Sequence, residues 1–439
     1  MDIQKNDIVE VLIESLGYRG EGIARIGRVP VFIVGALTGE KVRAVIILVK
    51  KDFFIGKLLE ILQSAPSRVV PRCPFFGRCG GCDLQHLDYD KQLEFKTAQV
   101  LGALKKIAGI NAEVGQCVSS DKIYGCRNKL SMPVRQVGGE VKTGFFAYNS
   151  HRIVEIGSCC LQSDRANSVL PIFAEWAKGE TAYDEERGSG NVRHISVREI
   201  GSHIIITVVC TQKTDLLPLD SKLSFLKDYA LYLNINKAHN NVIFGNKTIL
   251  CGGQEREVEV FGQKTTVHPV SFLQVNDFIA EKIYTRVAEM LKSAQSQKVL
   301  DAYSGGGLLS CALANAVSSV TGVEIVPEAV ESARKLASGR SNINFICGDC
   351  AEVIPQLTAS AGFDTIILDP PRNGCDEKVI SAVGASGAST VIYISCNPST
   401  LARDLFRLSG YEIAEIIPFD MFPQTKHVET LCYLRGRVR

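Results

Sequence analysis

Apolar and polar residues divide the chain into three regions with different periodicities. Residues 1–62 carry short apolar runs, some alternating with polar residues, between closely spaced glycine-bearing turns. This pattern is typical of short strands in a small β-barrel. Barrels of this size often bind nucleic acid, although a purely structural barrel is equally consistent with the pattern. We therefore expect an N-terminal β-barrel domain at residues 1–62.

The second region, residues 63–270, mixes helical and strand-like patterns. A proline-containing opening is followed by a helix-like stretch at 88–109, and strand-like apolar runs follow at 140–149, 193–200 and 203–212. This mixture predicts a central α+β domain, which also contains a cluster of cysteines.

The third region, residues 271–439, alternates apolar runs with helix-length segments. Runs such as "KVLDAYS", "FDTIILDPP" and "STVIYISC" are almost continuously hydrophobic. Such runs indicate buried parallel strands, covered by helices on both faces. Two further runs, at 412–420 and 427–436, predict a closing antiparallel pair. The fold class is thus α/β, a doubly wound Rossmann-like domain that binds its ligands at the carboxyl ends of the strands.

Composition places the chain among ordinary globular proteins. Of 439 residues, 46% are hydrophobic and 22% are charged, which excludes a disordered chain and is enough for two to four domains. No apolar run approaches the roughly 20 residues that span a bilayer. The N-terminus lacks the basic and apolar segments of a signal peptide. We expect a cytoplasmic protein without membrane association.

Charge and cysteine content add two indications. The net charge is only +2, but residues 63–160 hold 13 lysines and arginines against 8 aspartates and glutamates, a local net charge of +5. This is a weak indication of a polyanionic partner. The chain also has 15 cysteines. In a reducing cytosol, metal binding and catalysis explain so many thiols better than disulfides do.

Polar residues at the ends of the predicted strands indicate a nucleoside cofactor. The first strand leads into the glycine turn "DAYSGGG", which lets the backbone approach a ligand closely. Glu324 ends the second strand, where an acidic side chain binds ribose hydroxyls. Asp349 ends the third strand, in a place suited to the adenine amino group. Because the fourth strand ends in "DPPRNG", with Asp369, the arrangement resembles S-adenosylmethionine-dependent methyltransferases more than dinucleotide dehydrogenases.

Cys396, in "YISCNPST", follows the fifth predicted strand beside this cofactor site. Cysteine is often a small buried core residue, so packing is the simplest interpretation. The other interpretation is that Cys396 is a catalytic thiol. Adenine amino-methyltransferases have an aromatic residue after the two prolines, whereas this chain has Arg372 there. DNA cytosine methyltransferases place their thiol after a proline, whereas here Pro398 follows Cys396 by two residues. Carbon 5 of uracil becomes nucleophilic when a thiolate adds to carbon 6, which is covalent catalysis of the kind that Cys396 could perform.

A second group of cysteines is spaced like metal ligands. Cys73, Cys79 and Cys82 form a C-x5-C-x2-C set in "CPFFGRCGGC", and Cys159 or Cys160 offers a fourth thiol. Four cysteines can hold either zinc or an iron–sulfur cluster. The spacing alone leaves both open.

Four motifs together resemble one known family. The segments "DMFPQTKHVETLCYL", "YISCNPSTLARDL", "FLQVN" and "LDPPRNG" are similar to those of the RNA uracil-C5 (5-methyluridine) methyltransferases, and the likeness extends over nearly the whole chain. The resemblance implies that Cys396 is the nucleophile and that Glu429 removes the carbon-5 proton. The implied contacts to S-adenosylmethionine are Gln274, Tyr303, Glu324, Asp349 and Asp369.

The resemblance also extends to the N-terminal and central regions. It implies that the barrel is an OB-like TRAM domain that binds RNA, and that Cys73, Cys79, Cys82 and Cys159 hold a structural [4Fe–4S] cluster. Residues 127–129 match a family stretch near the RNA, although a solvated strand is equally consistent with them.

The iron–sulfur motif and the TRAM-like barrel favour 23S ribosomal RNA as the substrate of a monomeric enzyme. Methylation of the tRNA T-loop is the nearest alternative. A non-catalytic RNA-binding scaffold and a redox sensor built on the cluster are further ones.

Overall fold

The N-terminal sheet folds into a barrel. The computed structural model describes residues 3–437, and its first sheet has the strand order β1-β5-β6-β4-β3-β2. The strands are β1 (Ile8–Leu12), β2 (Ser15–Leu16), β3 (Gly22–Ile26), β4 (Val29–Val34), β5 (Lys41–Val49) and β6 (Phe54–Gln63). Between β1 and β2, the amides of Ile13 and Glu14 donate to the carbonyls of Glu40 and Ile23. The first stretch of chain therefore contacts both β5 and β3, and the sheet curls around a small apolar core.

The central region is built on a second, mostly antiparallel sheet. Its order is β13-β12-β11-β10-β7-β8-β9, and only β11 and β12 pair in parallel. The strands are β7 (Lys129–Val137), β8 (Glu140–Phe146), β9 (Ile153–Glu155), β10 (Val192–Ile200), β11 (His203–Cys210), β12 (Tyr229–Ile235) and β13 (Lys247–Gly253). Helices α2 (Asp164–Ala177) and α3 (Leu217–Leu223) cover one face, and β14 (Glu257–Val260) and β15 (Gln263–Thr266) form a separate hairpin. This agrees with the predicted α+β region.

The predicted helix at 88–109 is present but packs against the C-terminal region. Helix α1 (Tyr89–Ala103) continues into a π-helical turn at Leu104–Ala108. Val100 and Leu104 are fully buried in the same apolar cluster as residues of the C-terminal sheet. The chain then runs along that sheet, where the amide of Val118 donates to the carbonyl of Pro418. The proposed domain limits at 62 and 270 stay predictions.

The C-terminal sheet has the predicted doubly wound topology. Its order is β18-β17-β16-β19-β20-β22-β21, in which the first five are parallel and β22 runs antiparallel to both β20 and β21. The strands are β16 (Lys298–Ala302), β17 (Ser319–Glu324), β18 (Ile343–Cys347), β19 (Thr365–Leu368), β20 (Thr390–Ser395), β21 (Tyr411–Phe419) and β22 (Glu429–Gly436). The helices are α4 (Asp277–Ser293), α5 (Leu308–Leu313), α6 (Pro327–Leu336), α7 (Cys350–Ser360), α8 (Glu377–Ala385) and α9 (Pro398–Arg407).

Both faces of this sheet are covered. Successive residues of a strand point to opposite faces, and Val299 and Leu300 accordingly enter two different apolar clusters, as Ile367 and Ile366 do. The carboxyl ends of the parallel strands are left free at one edge. Between residues 3 and 437, no helix is long and apolar enough to cross a membrane.

Candidate active site

The carboxyl ends of the parallel strands surround a cavity of about 650 Å³. All seven predicted catalytic and cofactor-binding side chains line it, although they come from positions 155 residues apart. These residues are Gln274, Tyr303, Glu324, Asp349, Asp369, Cys396 and Glu429. The sheet topology brings them together, because parallel strands end at the same edge.

The glycine turn after β16 forms one wall of the cavity. Gly307 has a φ of 76°, and a Cβ there would lie 2.6 Å from the Phe345 ring, so only glycine fits. The amides of Gly305 and Val326 donate to the two carboxylate oxygens of Glu324, at 3.0 and 2.9 Å. Glu324 is therefore fixed against the turn and keeps lone pairs free for the hydroxyls of a ligand.

The start of one helix and a contact from the central region orient two further predicted cofactor residues, Asp349 and Gln274. Asp349 is the N-cap of α7 and accepts from the Ala351 amide at 2.9 Å. The backbone carbonyl of Gln274 accepts from the side chain of Asn128 at 2.9 Å. The central region thus helps to place Gln274 at the rim of a cavity built by the C-terminal sheet.

Strand register places Cys396 beside Glu429. In the antiparallel pair of β20 and β22, Ser395 lies opposite Thr430, so the next residue of one strand faces the preceding residue of the other. Asn397 then caps α9 by accepting from the Ser399 amide. Glu429 is only 4% exposed. The geometry therefore supplies a thiol and a carboxyl side by side in one cavity.

The cavity is strongly acidic. Burial raises the pKa of Asp301 to about 6, with Glu324 adding to the rise, and raises the pKa of Asp369 to about 7, with Asp301 adding to it. Burial and the neighbouring Asp369 also raise the pKa of Glu429 well above its usual value. Such carboxyls favour a cationic ligand, because a nearby positive charge stabilises their ionised form.

Burial raises the pKa of the Cys396 thiol to about 11. Glu429 and Asp369 add to this rise, and the guanidinium of Arg372 opposes it. The thiol is therefore largely protonated at neutral pH, and positive charge in the cavity favours the thiolate.

The side chains that line the cavity include several that the sequence-based prediction did not assign to the site. Asp301, Arg372 and Phe422 join the seven predicted residues there. Asp301 lies in the "DAYS" segment and Arg372 in "DPPR", so both motifs were noticed, but neither motif shows which way its side chains point. Only the folded sheet shows that Arg372 acts electrostatically on Cys396.

The clustered cysteines line a separate cavity of about 220 Å³. Its walls include all four predicted ligands together with the extra candidate, namely Cys73, Cys79, Cys82, Cys159 and Cys160. Within the part of the chain that the structure describes, no three His, Cys, Asp or Glu side chains are arranged to hold a metal ion. The [4Fe–4S] cluster and the choice of Cys159 over Cys160 therefore stay predictions.

The loop that carries the first three cysteines is attached to the central sheet. The amide of Gly80 donates to the carbonyl of Phe146 at 2.9 Å, and a Cβ on Gly80 would come within 3.0 Å of that oxygen. Burial raises the pKa of Cys82 to about 12, and the guanidinium of Arg127 opposes the rise. Arg127 thus contributes positive charge to the wall of the cysteine cavity.

The suggested RNA contact at residues 127–129 needs correction at one position. Asn128 is buried, and its amide nitrogen donates to the carbonyl of Gln274 and to Asp277. An amide engaged in this way is unavailable to RNA. Lys129 is half-buried, and burial lowers its pKa to about 8.

Three family models match the chain, and two of the matched ranges overlap. The TRAM domain model matches residues 4–59, a general methyltransferase domain model matches 299–380, and the model described as tRNA (Uracil-5-)-methyltransferase matches 355–437. The last of these covers both Cys396 and Glu429.

Relatives extend the similarity over the whole chain. An uncharacterized RNA methyltransferase of Clostridium tetani is 36% identical over 98% of this chain and 96% of its own length. One from Caldanaerobacter subterraneus is 38% identical over 96% of each. The structure of the Pyrococcus abyssi tRNA (uracil-54, C5)-methyltransferase in complex with S-adenosyl-L-homocysteine matches with a TM-score of 0.78 and 26% identity, over 97% of this chain and 100% of that one. On these similarities, the chain belongs to the RNA uracil-5 methyltransferase family.

Proposed function

We propose that this protein transfers a methyl group from S-adenosylmethionine to carbon 5 of a uridine in 23S ribosomal RNA, acting as a monomer in the cytoplasm. The observation that carries the proposal is the single cavity that holds Cys396, Glu429 and the five cofactor positions. All of these residues come from one chain, so the site needs no second copy.

Cys396 would start the reaction as the nucleophile. Its thiolate adds to carbon 6 of the flipped uracil, and the electron pair of the carbon 5–carbon 6 double bond moves to form an enolate. Carbon 5 of the enolate then attacks the methyl group, and S-adenosylhomocysteine leaves as a neutral thioether. Arg372 supports the first step, because its charge lowers the pKa of the thiol.

Glu429 would complete the reaction as the base. It removes the proton from carbon 5, the electrons of that bond restore the double bond, and the bond from carbon 6 to the sulfur of Cys396 breaks. The product is 5-methyluridine and the thiolate is regenerated. Since the pKa of Glu429 is raised, it is a better proton acceptor than an exposed carboxylate.

We also propose that the clustered cysteines hold a [4Fe–4S] cluster. Four thiols are the usual donor set for such a cluster, and the predicted ligands Cys73, Cys79, Cys82 and Cys159 share one cavity whose wall carries the positive charge of Arg127. Methyl transfer involves no electron transfer, so the cluster would have a structural role.

Two substrates are compatible with this reaction. The iron–sulfur-type cysteine spacing and the TRAM domain support 23S ribosomal RNA. The second candidate is tRNA, because the Pyrococcus abyssi structure is that of an enzyme named for uracil 54 of tRNA. In either RNA, a uridine in a single-stranded loop is expected, since its base can leave the stack at low cost.

The test is to incubate the purified protein and S-adenosylmethionine with unmodified 23S rRNA and, separately, with tRNA transcripts. Digestion and mass spectrometry then measure 5-methyluridine. We expect product in the ribosomal RNA that is lost in Cys396→Ala. Product only in tRNA would show that tRNA, and not 23S ribosomal RNA, is the substrate. No product in either RNA would support the interpretation of the protein as a non-catalytic RNA-binding scaffold.

A further inference from the structure

The loop that carries Cys73, Cys79 and Cys82 is called the cysteine loop below. The segment that leads to Glu429 is attached directly to this loop. Asp83 follows Cys82, and the amides of Asp83 and Leu84 both donate to the carbonyl of Gln424, at 3.1 and 3.0 Å. The carboxylate of Asp83 accepts from the Lys426 ammonium at 3.0 Å and from the Lys426 amide at 3.2 Å. Four contacts thus join two segments that are about 340 residues apart in sequence.

This contact is shielded from water. The Asp83 side chain is 9% exposed and that of Lys426 is 20% exposed, whereas most ion pairs of the described residues lie at the surface. Shielding strengthens a charge pair and keeps it in one geometry. The contact is therefore suited to hold a segment in place.

The held segment has a conformation that needs support. Gln424 has a φ of 68°, in the left-handed region that is unfavourable for a residue with a side chain. Gln92 of α1 donates to its side chain and accepts from its amide, both at 3.1 Å. The turn at Gln424 is thus fixed between α1 on one side and the cysteine loop on the other.

A second contact connects the two cavities nearby. The Arg127 guanidinium, in the wall of the cysteine cavity, lies 5.9 Å from the centre of the Phe422 ring. Phe422 lines the catalytic cavity and comes seven residues before Glu429. The cysteine loop, through Asp83, and Arg127 of the cavity wall therefore contact the segment before Glu429 at two points.

We propose that Asp83 is a positioning residue, which holds Lys426 and thereby places Glu429 at the reacting uracil. The proposal rests on the proposed function, because it assumes that Glu429 removes the carbon-5 proton. In this proposal the cysteine loop contributes to catalysis, because the folded loop holds Asp83 against the segment that ends in Glu429. Asp83 itself is not among the residues that line the catalytic cavity.

The two halves of the reaction should respond differently to the loss of this contact. Cys396 is held by β20 and α9, and Asp83 contacts neither of them. Addition of the thiol and methyl transfer should therefore continue. Proton removal by a displaced Glu429 should slow, so that methylated RNA stays covalently bound to Cys396. A general loss of folding would instead lower both steps together.

The experiment compares Asp83→Asn and Lys426→Met with the wild type, using RNA tritiated at uracil carbon 5 and methyl-labelled S-adenosylmethionine. Denaturing gels measure the covalent methylated complex, and tritium release measures proton removal. We expect tritium release to fall about 10- to 100-fold, as for a small misplacement of a catalytic group, while the covalent complex accumulates. Asp83→Glu, which keeps the charge, should restore part of the release rate.

Asp121→Asn is the matched control. Asp121 pairs with Lys282 at 2.6 Å but is 61% exposed and lies outside both cavities, so release should stay at the wild-type rate. Hydrogen exchange of residues 424–429 adds a readout independent of turnover, and it should be faster in both test variants. Asp83→Asn alters a residue next to Cys82 and could lose iron for that reason alone. Lys426→Met removes the same contact and leaves the sequence of the cysteine loop unaltered.

Three outcomes separate the two proposals. Tritium release at the wild-type rate in both test variants overturns the positioning role, and so does an equal loss of complex formation and release. A wild type that forms no 5-methyluridine on any RNA overturns the proposed function instead.

Discussion

Three carboxyls, of which Asp301 and Glu429 are buried and Asp369 is half-buried, give the catalytic cavity its chemical character. Asp301, Asp369 and Glu429 lie near one another, and burial raises the pKa of each. Burial of several carboxyls without a cation is unfavourable, since the charged form loses its hydration. A sulfonium ligand supplies the missing positive charge. These residues therefore favour S-adenosylmethionine over the neutral product that it leaves behind.

This preference should depend on pH. Below their pKa values of about 6 and 7, Asp301 and Asp369 are protonated and attract no cation; above them, both are charged. We expect the affinity for S-adenosylmethionine, divided by that for S-adenosylhomocysteine, to rise about tenfold between pH 5.5 and 8. Calorimetry with both ligands measures the ratio, and their shared amino-acid part cancels. A ratio that rises equally in Asp369→Asn would contradict the assignment.

Arg372 should control the reactivity of Cys396. Because its guanidinium lowers the pKa of that thiol, Arg372→Gln should raise the pKa above about 11 and leave less thiolate at pH 8. We expect alkylation of Cys396 by iodoacetamide to slow about threefold to tenfold, since one pKa unit is a tenfold change. Peptide mass spectrometry measures the rate, with the exposed Cys347 as an internal reference. Equal slowing at both cysteines would rule out a local charge effect.

At the scale of elements, helix α1 holds the segment between β21 and β22. Lys96 and Asp420 form an ion pair in which both side chains are fully buried. The Tyr89 hydroxyl donates to Asp420 at 2.7 Å, and Lys96 also donates to the carbonyl of Phe422 at 3.0 Å. The pair thus fixes the start of the segment that leads to Glu429.

Breaking this pair from one side should destabilise the protein. Lys96→Met leaves Asp420 buried without its cation, which costs about 3–5 kcal/mol. Urea unfolding should show this loss, and Lys96→Met combined with Asp420→Leu should recover part of it. Lys91→Met, which removes a pair on the exposed face of the same helix, should cost much less, because water screens an exposed pair. A similar cost for both single variants would mean that burial of the pair is unimportant.

At the scale of the whole molecule, the cysteine loop is where three parts of the chain meet. Gly80 bonds to the central sheet through Phe146, Asp83 bonds to the C-terminal domain through Lys426, and Leu84 packs against Leu37 of the barrel. A cluster bound by both this loop and Cys159 would link two parts of the chain that are far apart in sequence. Such a link stabilises a protein by restricting its unfolded forms. Iron binding and the arrangement of the domains should therefore be linked.

Iron content tests this directly. We expect protein purified without oxygen to contain about four iron and four sulfide per chain, and Cys79→Ser to lose most of both. Limited proteolysis should then cut residues 63–88 faster in the variant. Cys251→Ser, a half-buried cysteine outside the cavity, should keep its iron. Zinc instead of iron in the wild type would contradict the cluster but not the ligand set.

The sequence alone indicated the order of regions, the doubly wound sheet and the residue types of the site, because these depend on short-range periodicity and on motifs that lie within a few residues. The barrel, α1 and the C-terminal strands appear where the apolar runs predicted them. The TRAM match confirms the N-terminal domain. The packing of α1 against the C-terminal sheet was not foreseen, since periodicity shows that a face is buried and not what buries it.

Relations between residues far apart in sequence depend instead on the tertiary structure. Cys396 and Glu429 face each other because β20 and β22 pair in one register, and a register between strands is set by turns and by burial of a whole face. The buried Asp301, the charge of Arg372 near the thiol and the bond from Asp83 to Lys426 likewise depend on contacts between segments far apart in sequence. A single sequence records which groups are present, while their pKa values and contacts arise from the solvent exclusion and proximity that folding creates.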